Sequence, residues 1–229
     1  MWIGHFINGI DFWTQAGGRE QIRDIQLDQE RSRLVVHSDW VSHSGQQICS
    51  TESSYTFGSA DLYRANPVRW ICVTITFSSR EHDLQFEDTK EGMFAIRTHP
   101  NLQLTPAKEA GPNAPFGTAS NSEGIQGKEI WGKKARWVLY QGEIHGAPVA
   151  IAMFDHPRNL RHPTTWHARD YGLIAANPFG LHEFLGASVG EGAHKITKGD
   201  KLTLTYQALF IKGKPNVSDV ERWYTEFAD

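Results

Sequence analysis

Apolar and polar residues alternate along much of this chain, and a period of two residues is the mark of a β-strand with one face buried. The stretch LTLTYQALFI at 202–211 and the run Val-Thr-Ile-Thr-Phe at 73–77 show it most cleanly. Segments 33–37, 53–57, 69–77, 93–98, 135–140, 149–154 and 201–211 are rich in β-branched or aromatic residues. Clusters of Gly, Pro, Asn, Asp and Ser separate them, as turns require. No helical stripe is sustained before Asn216. Beyond it Val220, Trp223, Tyr224 and Phe227 share one helical face, with Ser218 as the expected cap. A turn of helix is also expected at 59–64. Many strands joined by short turns predict an all-β fold, a large antiparallel β-sandwich of two packed sheets with a short C-terminal helix.

Composition narrows the function classes. The chain has 229 residues, 39% of them hydrophobic, enough to bury one substantial core, and no repeat or linker divides it, so a single domain over 1–229 is expected. A net charge of −3 with no basic stripe argues against nucleic-acid binding. The longest apolar runs, such as 149–154, fall far short of the roughly 20 residues a membrane helix needs. Cys49 and Cys72 have no metal-site spacing and read as plain thiols. Rossmann, P-loop and GxSxG fingerprints are missing, which argues against nicotinamide, nucleotide and serine-hydrolase chemistry. The start, MWIGHFINGIDFW, lacks a basic lead and a signal core, so the chain as given is expected in the cytoplasm. It opens strand-like, as an edge strand that has lost its partner would. An export signal upstream would change the expectation to periplasmic or secreted.

The chemistry concentrates in FDHPRNLRHPTTWHARDYGLIAANPFG, residues 154–180. It gathers three histidines, three arginines and two aspartates, groups that cost free energy to bury unpaired, between prolines and glycines that stiffen a loop. His156, His167 and Glu91 are the candidate proton-transfer groups, and Arg169 the candidate stabiliser of negative charge. Lys90, Asn121, Glu123, Trp131, Lys133, Arg161, His162, Trp166, Tyr171 and Asn177 are the candidate substrate-binding residues, because an aromatic face beside carboxylate, amide and guanidinium groups suits a sugar. If DTKEG entered a strand, Lys90 and Glu91 would point to opposite faces. His156, His167 or both, together with Arg169, Glu91 and Lys133, are expected to line one concave pocket on a sheet face. His156, His162 and His167 have no metal-ligand spacing, so no cofactor is expected, with a bound divalent metal kept as the alternative because a loop can bring three histidines together regardless of spacing. Residues 99–130 form a long Gly/Pro/Asn-rich interval read as a functional loop.

GIDFW at 9–13, DTKEGMFAIR at 88–97, NSEG at 121–124, WGKKARWV at 131–138 and the 154–180 segment resemble, in order, the motif series of the DUF6807 family. Its members are often labelled PmoA or methane oxygenase. That label fails for a chain without a membrane span, since particulate methane oxygenase is an integral membrane complex. The resemblance implies a bacterial, all-β protein met in carbohydrate-catabolic settings, and the galactose-mutarotase-like supersandwich is among the sandwiches expected. It also implies a His-rich segment ahead of the part matching Met1 to Trp13, so an N-terminal truncation is expected. The expected function is a carbohydrate-active enzyme of hydrolase, lyase or isomerase type working by His/Glu acid-base chemistry on a small-molecule sugar. The alternatives are a non-catalytic carbohydrate-binding module and an inactive truncated relative.

Overall fold

A computed structural model describes residues 1–63, 66–106 and 116–229. The fold is all-β, and each strand pairing is antiparallel. One layer is an eight-stranded sheet. Its strands, in chain order, are β4 (Gly18–Asp28), β5 (Arg33–Ser42), β6 (Gln47–Tyr63), β7 (Asn66–Ser78), β10 (Thr118–Asn121), β11 (Trp137–Ile144), β12 (Ala147–Asp155) and β16 (Lys201–Lys212). They lie in the order β10-β11-β12-β16-β7-β6-β5-β4. The second layer is divided, where a single packed sheet was expected. One four-stranded sheet runs β1 (Trp2–Gly4), β9 (Met93–Arg97), β14 (Leu173–Asn177), β13 (Thr165–Ala168). The other runs β15 (His194–Ile196), β8 (Leu84–Phe86), β2 (Phe6–Ile7), β3 (Ile10–Asp11).

Both small sheets bury their inner faces against one face of the large sheet in a shared core. Phe94 of β9 stacks on Tyr206 of β16 at 5.2 Å, and Phe86 of β8 meets Phe77 of β7 edge-on at 5.2 Å. His5, between β1 and β2, stands where the second layer divides. It is fully buried, with Nδ1 3.0 Å from the Glu91 carbonyl and Nε2 2.8 Å from that of Glu87, and burial pushes its pKa down to about 4. The opposite face of the large sheet carries Trp137, Leu139, Phe154, Leu209 and Ile211, on which α2 (Val217–Ala228) packs Val220, Trp223 and Tyr224.

Sequence periodicity placed the long strands and α2, with three corrections. The cap of α2 is Asn216, not Ser218: its side chain accepts from the Asp219 amide at 3.0 Å while Asp219 accepts from the Asn216 amide at 3.0 Å. Residues 59–63 continue β6 as half of a hairpin instead of forming a helical turn; Arg64 lies outside the described residues. Strand β4, with its charged sequence GREQIRDIQLD, escaped because it is an edge strand exposed along most of its length, where burial imposes no alternation. Among the described residues the opening strand β1 lies at a sheet edge, paired with β9. Of the interval 99–130, residues 107–115 lie outside the described residues, and the rest contributes β10 and two 3-10 turns, Pro100–Leu102 and Gly127–Ile130. Cys49 and Cys72 are free thiols. Among the described residues no helix is long and apolar enough to cross a membrane.

Candidate functional site on the outer face of the first small sheet

The 154–180 segment is not one irregular loop, because β13 and β14 form a hairpin within it. Alternation along β13 decides which side chains the hairpin offers. Trp166 turns into the core, fully buried, with Nε1 donating to the Ala135 carbonyl at 2.8 Å. His167 turns the other way. Register carries its row across the sheet as His167, Ala175, Ala95, Trp2. The two central alanines keep the row low, and Trp2 and Trp13 pack over them with ring centroids 5.0 Å apart.

His167 is 2% exposed, and its Nδ1 lies 3.1 Å from the Lys90 carbonyl. A carbonyl only accepts, so Nδ1 carries the proton and Nε2 presents a lone pair. Among the described residues that Nε2 is buried with no hydrogen-bond partner, and so is the indole Nε1 of Trp131. Both rings touch Phe184, at 6.0 and 5.5 Å between centroids. Burial first, then the nearby Arg169 guanidinium, pushes the His167 pKa down to about 4, leaving the imidazole neutral at pH 7.

Lys90 and Glu91 precede β9 instead of lying in it, which overturns the opposite-faces expectation: Lys90 Nζ is 3.8 Å from Glu91 Oε1. Lys90 also donates from both Nζ and its amide to Glu183, at 2.5 Å each. Glu183 sits in α1 (Leu181–Leu185), as does Phe184. That pairing raises the Lys90 pKa, so the ammonium stays charged. Burial raises the Glu91 pKa against the pull of Lys90, with the Glu183 and Asp11 carboxylates adding to the rise and Arg169 opposing it. Arg169 follows β13 and lies 5.3 Å from the centre of the Tyr171 ring, which Arg97 of β9 also covers at 5.0 Å. Lys133 is exposed, and its backbone carbonyl accepts from the Trp166 amide at 3.2 Å, placing it at the rim beside Trp131.

Glu91, His167, Arg169, Lys90, Trp131, Lys133 and Tyr171 are thus brought to one side of the fold. The other candidates are held elsewhere by structural partners. His156 accepts from the Arg158 amide at 3.1 Å and packs edge-on against Phe227 of α2 at 5.2 Å, so it does not join His167. His162 contacts the buried Asp155 carboxylate at 2.7 Å and the Tyr224 hydroxyl at 3.3 Å. Arg161 spends its guanidinium on the carbonyls of Pro178, Gly192, Glu191 and Ala193, pinning one loop. Asn177 is fully buried, donating to the Thr89 carbonyl and accepting from the Phe179 amide. Asn121 accepts from the amides of Glu123 and Ile125, and exposed Glu123 accepts from Ser122. With Trp166 in the core, no ring face of it is open to a sugar. Among the described residues no group of three or more His, Cys, Asp or Glu side chains is arranged to hold a metal ion.

The sequence reading missed Glu183, Phe184, Trp2 and Trp13. Trp13 belonged to a motif already singled out, GIDFW, whereas Glu183 carried no local signal. Next to this group, Trp2, Trp13, Trp40, Tyr55, Glu20 and Arg97 line a cavity of about 540 Å³.

Fold and site together define a β-sandwich protein with a cluster of charged and aromatic side chains on the outer face of one half of its divided layer. The chain belongs to DUF6807, a family of unknown function, whose model matches residues 1–225. No curated protein matches it.

Proposed function

We propose that the protein is a carbohydrate-active enzyme of hydrolase, lyase or isomerase type, and that His167 and Glu91 move the protons. The observation that carries this reading is the bare, buried Nε2 of His167, held in the accepting tautomer by the Lys90 carbonyl. A base oriented by an acceptor on its other nitrogen is the arrangement proton abstraction needs. In the proposed step, Nε2 takes a proton from substrate or water, and the imidazolium formed returns it later. Glu91, whose pKa is raised, is the group able to deliver a proton to the departing or rearranging oxygen. The Lys90 ammonium and the Arg169 guanidinium supply positive charge for a developing oxyanion or enolate. Of the two candidate tryptophans, Trp131 and Trp166, Trp131 is the one that offers an aromatic face.

The test incubates the chain with native and oxidised glycosides and follows products by mass spectrometry. His167→Gln is expected to lower turnover by roughly 10²-fold or more with sugar affinity nearly unchanged, while His156→Gln leaves turnover intact. Equal turnover in wild type and His167→Gln would refute the role given to His167. A second reading, a non-catalytic carbohydrate-binding module, is favoured by the aromatic cavity; saturable binding without product from any glycoside would select it.

A further inference from the structure

We propose that the cavity beside the His167 group is a subsite for a second sugar ring, so that the substrate is a glycoside of two or more units. This inference rests on the carbohydrate reading above. The cavity, about 540 Å³, falls within the roughly 300–1,000 Å³ of small-ligand sites. Trp2 and Trp13 meet at 50° and make an aromatic corner against which the apolar C–H face of a pyranose packs. Trp40 lines the cavity at 1% exposure, wedged between Phe12 at 5.0 Å and Phe77 at 5.3 Å. Its indole N–H is buried without a partner among the described residues. Leaving such a donor unpaired costs free energy, and a sugar hydroxyl would satisfy it. Glu20 pairs in register with Trp40 across β4 and β5, and Arg97 stands on another wall, so a carboxylate and a guanidinium are available to the remaining hydroxyls.

Two connections tie this cavity to the proton-transfer group. The Asp11 carboxylate accepts from the amides of Trp13 at 2.8 Å and Thr14 at 2.9 Å, fixing the Trp13 wall, and the same carboxylate acts electrostatically on Glu91. Arg97 shares the Tyr171 ring with Arg169. Trp2 and His167 lie three strands apart on one row, about 14 Å at roughly 4.8 Å per strand. That span exceeds one pyranose ring and suits two.

Titration calorimetry on the full chain compares methyl β-glucoside and methyl β-galactoside with cellobiose, lactose and maltose. At least one disaccharide is expected to bind tenfold or more tighter than either methyl glycoside. Trp13→Ala and the exposed-site variant Glu20→Gln should each weaken that disaccharide at least fivefold while leaving methyl glycosides within twofold. Trp13→Phe, which keeps an aromatic wall, guards against misfolding and should lose less. Disaccharides no tighter than methyl glycosides, or unchanged disaccharide affinity in both Trp13→Ala and Glu20→Gln, would overturn the subsite. The catalytic reading fails separately, when the subsite behaves as expected but neither wild type nor His167→Gln yields product.

Discussion

Between pH 7 and pH 4 the wild-type protein should lose roughly 3 kcal/mol of stability relative to His167→Gln. The folded His167 pKa of about 4 lies below the roughly 6.5 of an unfolded histidine, chiefly because the ring is buried. As pH falls, the unfolded chain therefore takes up its proton first. The contribution is fully present above pH 6.5 and is lost progressively as the pH approaches the folded value. At 2% exposure the ring has little solvent screening to dilute the effect. Comparing two proteins cancels His5, which titrates similarly, and Asp155 and Glu91, whose raised pKa values push in the other direction. Urea denaturation at successive pH values measures the difference. A difference that stays flat across the window would mean that the folded protein accommodates a charged His167.

Asp155→Ala is expected to destabilise the protein by about 3–5 kcal/mol, the usual cost of removing one partner from a buried polar pair. Asp155 is completely buried, and each carboxylate oxygen is used: Oδ1 accepts from Asn159 at 2.8 Å, Oδ2 contacts His162 at 2.7 Å and accepts from the Thr164 amide at 2.9 Å. Asn159 passes the connection to β16, donating to the Thr205 carbonyl at 2.6 Å and accepting from its amide at 2.7 Å. Truncation leaves these donors buried without an acceptor. Asp155→Asn keeps one acceptor and should cost less, about 1–3 kcal/mol. The measurement is the denaturant midpoint at unchanged slope; a loss under about 1 kcal/mol for the alanine variant would show that the network is not what holds this loop.

The same residues show how far a sequence can be read. Density of polar chemistry located 154–180, but it did not separate two kinds of histidine that look alike in the chain. His162 contacts a buried carboxylate, whereas His167 lies on the outer face of its sheet against the Lys90 carbonyl. What distinguishes them is position: His162 lies in the turn ahead of β13 and His167 within it, and β13 is only four residues long, too short for its alternation to stand out among prolines. Trp166 was misassigned for the same reason, being one position from His167 and so on the opposite face. Lys90 and Glu91 were found by residue type, but their partner Glu183 lies 93 residues away, and no local pattern encodes a contact of that range. The long strands were legible because each keeps one face in the core over many residues. Edge strand β4 was not, since most of its length faces solvent on both sides.

The position of β16 also bears on how the chain is assembled during synthesis. Strands β4 to β7 form one meander and β10 to β12 another, and β16 is the strip that joins them. Thr74 and Thr205, whose hydroxyls meet at 3.0 Å across that seam, are 131 residues apart. Until the ribosome has released β16, the edges of β7 and β12 present unpaired backbone groups, the feature that invites pairing with another chain. Strand β16, the last in order among the described residues, is thus the one that closes the sheet, and a chain stopped before residue 201 would carry two open edges where the complete sheet has a continuous ladder.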